Sequence, residues 1–103
     1  MMLDEEKRLT YFYESILELK NADEVRMFFE DICTDIELSA ISQRLQVAKL
    51  LREGLIYSDI VKETSASTAT ISRVNRSLRK GAGGYKILFE RKHENSPETE
   101  PEE

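Results

Sequence analysis

Helix-start signals at a fixed spacing constrain this chain more than any other feature of its sequence. Asn21 stands three residues ahead of Glu24, and Thr34 three ahead of Glu37. In that spacing the first side chain accepts the N–H three residues on, while the carboxylate reaches back to an earlier N–H. Around these caps the apolar residues fall at gaps of three and four, the period of one helical face. Leu9, Phe12, Tyr13, Ile16, Leu17 and Leu19 mark a helix over 4–20. Val25, Phe28, Phe29 and Ile32 mark the helix that Asn21 opens. Leu38, Ile41, Leu45, Ala48 and Leu50 or Leu51 mark a longer one, opened by Thr34 and stopped by Gly54. A short segment from Ser58 to Thr64 turns Ile60 and Val61 inward. A small-residue turn at 64–67 leads to a helix over about 67–80 that Gly81 closes, and 83–93 form a last helix with Tyr85, Leu88 and Phe89 on its apolar side. No segment alternates apolar and polar residues for long. The expected fold class is all-α, with six helices.

At 103 residues the chain is one domain's worth. Its apolar share of 40% beside a charged share of 34% suits short amphipathic helices that hide part of their apolar surface in a partner subunit. Cys33 is the only cysteine, which excludes an intrachain disulfide and fits a reducing cytoplasm. The start, MMLDEEKRLTYFYES, is acidic where a secretory signal would be basic and then apolar, and no run is long enough to span a bilayer. A soluble cytoplasmic protein with no membrane association is expected. Residues 93–103 carry two prolines and five glutamates, the composition of a disordered acidic tail. That tail is read as inert rather than as a competitor for the basic residues upstream.

Catalysis finds little support. His93 is the lone histidine and has no obvious partner for base or metal chemistry. Cys33, in an apolar helix, reads as a small buried hydrophobe rather than a nucleophile. The glycine-rich run at 81–84 lacks the preceding strand and following Lys-Ser/Thr of a phosphate loop. The acidic clusters at 4–6 and 30–37 read as helix N-terminal and surface charge. No enzyme, metal site or cofactor is expected.

Charge is divided unevenly along the chain. Residues 1–40 hold four Lys/Arg against eleven Asp/Glu, whereas 64–92 hold Arg73, Arg76, Arg79, Lys80, Lys86, Arg91 and Lys92 against Glu90 alone. Phosphate binding depends on such local charge rather than on the total of −5. The basic block begins on the helix after the small-residue turn, and two short helices about a tight turn are what a helix-turn-helix needs. In that helix Ile71, Val74 and Leu78 share one face, and no acidic residue occurs between Glu63 and Glu90. Short Thr and Ser side chains at the first turn let a helix N-terminus approach base edges and phosphates, and an arginine there can span guanine or neutralise phosphate. The candidate DNA contacts are Ser67, Thr68, Ala69, Thr70, Ser72, Arg73, Arg76 and Arg79, with Ser67 and Thr68 also expected to cap the helix. The rival reading from another class is a helical protein–protein adaptor without direct DNA readout.

The run ATISRVNRSL at 69–78, with QRLQVAKLLREG upstream, resembles the Trp repressor superfamily, and within it the YerC/YecD branch. The likeness spans roughly residues 10–92, and its most specific piece is TATISR at 68–73. It implies a Trp-repressor-like fold of six helices in an intertwined homodimer, a bacterial-type transcription regulator acting through a palindromic operator. One domain over 1–92, with a helix-turn-helix at about 56–80, is the corresponding organisation. The resemblance also implies a small-molecule corepressor pocket from Arg44, Arg73 and Ser77, with Thr70 nearby. Where the Trp repressor has glycine after the recognition-helix arginine, this chain has Val74. Overpacking a filled site costs about 1–3 kcal/mol, or a ten- to hundredfold loss of affinity. A regulator that does not depend on tryptophan, its pocket self-filled by Val74, is therefore expected, and whether any corepressor replaces it stays open.

Overall fold

The computed structural model describes residues 2–94, and side chains from Asp4 to His93. Six helices and no strand occur among them: α1 (Met2–Ile16), α2 (Ala22–Ile32), α3 (Asp35–Arg52), α4 (Tyr57–Thr64), α5 (Thr68–Lys80) and α6 (Gly84–Glu94). The chain divides into two compact units, the first ending at Ser39 and the second starting at Ala40. The tail expected to be disordered lies outside the described residues, apart from His93 and Glu94, which continue α6.

In the first unit both expected caps form. The Asn21 side chain accepts the Glu24 N–H at 2.9 Å, and Glu24 Oε1 accepts the N–H of Lys20 at 2.8 Å. Thr34 Oγ1 accepts the Glu37 N–H at 3.1 Å while Glu37 Oε1 accepts the Thr34 N–H at 2.9 Å, a fully reciprocal capping box. The first helix stops at Ile16 rather than reaching residue 20. Leu17, Glu18 and Leu19 each donate to the carbonyl three residues back, a tightened closing turn. Lys20 is already committed to the cap of α2. Phe12 of α1 meets Phe28 of α2 at 6.4 Å between ring centroids, and Phe28 meets Phe29 edge-on at 5.4 Å. Even so, no described side chain from Asp4 to Ser39 is buried. Tyr11 is 76% exposed, and Leu17 and Ile36 are each 82% exposed. Cys33 is half-buried at the C-cap of α2, donating its N–H to Phe29 O, rather than buried within the helix as its neighbours suggested.

The second unit holds the core. Val47 and Ala48 from α3, Ile60 from α4, Ala66 from the turn, Ile71 and Val74 from α5 and Phe89 from α6 are all buried in one cluster. Complete burial of a side chain such as Ile60, Ile71 or Val47 contributes about 1.5–3 kcal/mol. The turn after α3 carries the chain onto this cluster. Gly54 sits at φ +93, Leu55 donates to Leu50 O at 3.1 Å and Gly54 to Leu51 O at 3.0 Å, the paired bonds of a Schellman motif. Leu50 and Leu55 then both pack on the core. Because an L side chain pays for the left-handed conformation, Gly54→Ala is expected to cost about 1–2 kcal/mol of stability, read as a lower urea midpoint with an unchanged m-value.

Candidate nucleic-acid interface

Helices α4 and α5 are joined by Ser65, Ala66 and Ser67. The turn closes through polar groups around a single buried methyl. Ser65 adopts φ 61 and donates its N–H to Val61 O at 2.8 Å, ending α4. Ala66 is buried, and its N–H is accepted by Thr64 Oγ1 at 3.0 Å. Ser67 starts α5: its Oγ accepts the Thr70 N–H at 3.1 Å and donates to Thr70 Oγ1 at 3.1 Å. Ser67 is thus the cap, and Thr68, which was expected to share that role, is the first residue of the helix.

Ile71 and Val74 are buried and Leu78 is partly buried, so the inner stripe of α5 is the one its spacing indicated. The outer face carries Thr68, Ala69, Ser72, Arg73, Arg76, Arg79 and Lys80, all exposed. Arg76 and Ala69 lie opposite the buried stripe and form the middle of that face, with Ser72 and then Thr68 to one side of them. Arg73 and Ser77 lie toward one flank, and Arg79 lies with Ser72 and Thr68 toward the other. Among the described residues, none of these arginines forms an ion pair. Of the hydroxyls proposed to contact DNA, those of Ser67 and Thr70 are engaged in the cap, which leaves Thr68 and Ser72 to face outward.

Of the residues proposed for a ligand pocket, two lie on the surface and one in the core. Arg44 and Arg73 are exposed on α3 and α5, and Val74 is 3% exposed inside the core. A cavity of 360 Å³ lies where α3, α5 and α6 approach, lined by Leu45, Ser77, the glycine-rich run 81–84, Tyr85 and Leu88. Ser77 alone of the four borders it. Gly81, which ends α5 beside this cavity, is not left-handed; a Cβ there would collide with the Ser77 carbonyl. Tyr85 and Phe89 of α6 stack at 6.2 Å, and the Arg52 guanidinium lies 5.4 Å over the Phe89 ring.

Four side chains that fix this helix pair were not singled out from the sequence. Gln43 of α3 donates from Nε2 to Thr64 O at 3.0 Å, and Thr64 Oγ1 donates to Ile60 O at 2.8 Å. Asn75 of α5 donates from Nδ2 to the Tyr57 hydroxyl of α4 at 3.2 Å. One signal was present for Asn75: it stands four residues after Ile71 and next to Val74, at the edge of the buried stripe.

A core-anchored helix pair about a three-residue turn, its second helix outwardly basic and hydroxylated, defines a protein of the helix-turn-helix class. Residues 7–93 match the family described as Trp repressor protein, and the chain belongs to that family. It is 46% identical over 93 residues to the uncharacterized protein YerC of Bacillus subtilis (strain 168), covering 90% of this chain and 89% of that one. Its fold is similar to that of a TrpR-like protein from Eubacterium eligens ATCC 27750, with TM-score 0.80, 53% identity, and coverage of 82% of this chain and 88% of that chain. It is similar also to a candidate Trp repressor from Staphylococcus aureus, with TM-score 0.82, 42% identity, and coverage of 90% and 95%. No helix of the described residues is long and apolar enough to cross a membrane.

The cap at the head of α5 gives a direct check on this geometry. Ser67→Ala removes the acceptor of the Thr70 N–H, and its expected cost is about 1 kcal/mol of stability by urea denaturation.

Proposed function

We propose that this protein is a sequence-specific DNA-binding transcriptional regulator, acting as a repressor, whose recognition helix is α5. The observation that carries the reading is the outer face of that helix: exposed Arg73, Arg76 and Arg79, with no carboxylate partner among the described residues, beside the outward hydroxyls of Thr68 and Ser72. Such a face is poorly suited to an ordinary solvated helix, where acidic and basic residues interleave. In a major groove each group has work to do. Arg76, at the centre of the face, spans a guanine edge, while Arg73 and Arg79 on the flanks neutralise phosphates. Ala69 allows close approach, and Ser67 and Thr70 hold the helix N-terminus in shape near a phosphate.

The functional species is a homodimer. The first unit supports this: none of its described side chains is buried, and Tyr11, Leu17 and Ile36 are exposed, so its apolar surface lacks a cover. A second copy, intertwined through these helices, covers that surface and doubles the recognition helix. The two readers then enter successive major grooves about 34 Å apart on a palindromic operator. One functional domain spans about residues 1–92, working in the cytoplasm without a cofactor.

Tryptophan is not required. Val74 occupies core volume on the inner side of α5, so the helix is supported by the chain's own atoms. Purified protein incubated with random duplexes at two salt concentrations should therefore enrich one palindrome without added ligand, with affinity falling steeply as salt rises. Enrichment only when tryptophan is present would overturn the ligand-independent part. No enrichment under any condition would overturn DNA readout and favour a protein-binding adaptor. Against the enriched duplex, Arg76→Ala is expected to cost about 1–3 kcal/mol and relax preference at one base pair, whereas Arg73→Ala weakens binding uniformly and lowers the salt slope by about 1.

A further inference from the structure

The polar ties beneath the recognition helix do something that the apolar core does not. Ile71, Val74 and Leu78 press α5 onto its neighbours, but dispersion contacts are weakly directional and tolerate a small rotation about the helix axis. A hydrogen bond has a defined length and angle. The one that joins α5 to α4 starts at Asn75 and ends on the Tyr57 hydroxyl, 3.2 Å away. Both side chains are half-buried, and Tyr57 packs on the core. Asn75 lies in sequence between Val74, which is in the core, and Arg76, at the centre of the outer face. At the far end of α4 the Gln43–Thr64 bond joins α3 to the last helical carbonyl. Helix α4 is thereby held at its C-terminus by α3 and holds α5 from its N-terminus.

We propose that Tyr57 and Asn75 form a positioning latch that sets the rotation of α5 and hence the direction in which Arg76 and Ser72 are presented. Asn75, although it belongs to the recognition helix, is on this view a positioning residue and not a base reader. Each residue along a helix turns about 100° from the last, so a rotation of a fraction of that step carries the Arg76 guanidinium off a base edge while leaving its charge near the duplex. The latch therefore controls sequence preference more than total affinity. It rests on the reading of α5 as a DNA-recognition helix.

The test uses Tyr57→Phe in the full chain, which removes only the hydroxyl and keeps the ring in the core, and the duplex enriched from the random pool. Tyr57→Phe is expected to lower affinity for that duplex about three- to tenfold, the range that loss of one such hydrogen bond spans. Binding to a scrambled duplex and the salt slope should stay at the wild-type values, because the phosphate contacts are retained. In an Asn75→Ala background Tyr57→Phe should have no further effect, since the bond is already gone. A destabilised but otherwise correctly presented helix would instead lose binding to both duplexes together. Unchanged preference in Tyr57→Phe, or losses that add in the double variant, would overturn the latch while leaving DNA readout intact. A loss at a single base pair in Asn75→Ala that Tyr57→Phe does not reproduce would make Asn75 a reader and also overturn it. If the wild-type protein enriches no duplex, the DNA assignment falls and takes the latch with it.

Discussion

Burial of Ile71 and Val74 against Val47, Ala48 and Ile60 is the contact on which the second unit depends. Helix α5 has thirteen residues and four cations along its length, and among the described residues it forms no ion pair. Isolated helices of that length are marginal in water, and like charges at i,i+3 spacing oppose them by a few tenths of a kcal/mol per pair. Burial at about 1.5–3 kcal/mol per large side chain outweighs that repulsion. The outer face of α5 can thus be given over to arginine and hydroxyl groups because the inner stripe holds the helix. Its chemistry and its stability are separated onto opposite sides.

The two units divide labour in a corresponding way. The second has a core that its own helices complete, and it carries the basic surface. The first is strongly capped yet has no described side chain buried, and most of the protein's acidic residues lie in it. Caps of this quality fix where helices begin without supplying the apolar burial that a stable fold needs. A second copy supplies that burial in the proposed dimer.

Much of this was legible in the sequence because the signals are local. Asn21, Thr34 and Gly54 act through bonds within three to five residues, and the Ile71–Val74–Leu78 stripe follows from helical period alone. The end of α1 was not legible: Leu17 and Leu19 continue the apolar spacing, but a tightened turn and the claim of Glu24 on the Lys20 N–H stop the helix at Ile16. Gly81 was marked as a stop, yet its reason is a close backbone approach and not a left-handed turn. Tyr57–Asn75 and Gln43–Thr64 join residues 18 and 21 positions apart. Their meaning depends on packing between helices, which no spacing rule encodes. The same holds for the cavity beside α6, whose lining joins Leu45, Ser77 and Tyr85 from three helices.

Helix α5 is held by its own core. Amide hydrogen exchange on the ligand-free protein measures this most directly, because protection reports the free energy of local opening. A core-held α5 requires the amides from Ile71 to Leu78 to be protected as strongly as those of Val47 to Leu51 in α3. Exchange in α5 many-fold faster than in α3, slowing only when a small molecule such as tryptophan is added, would contradict it.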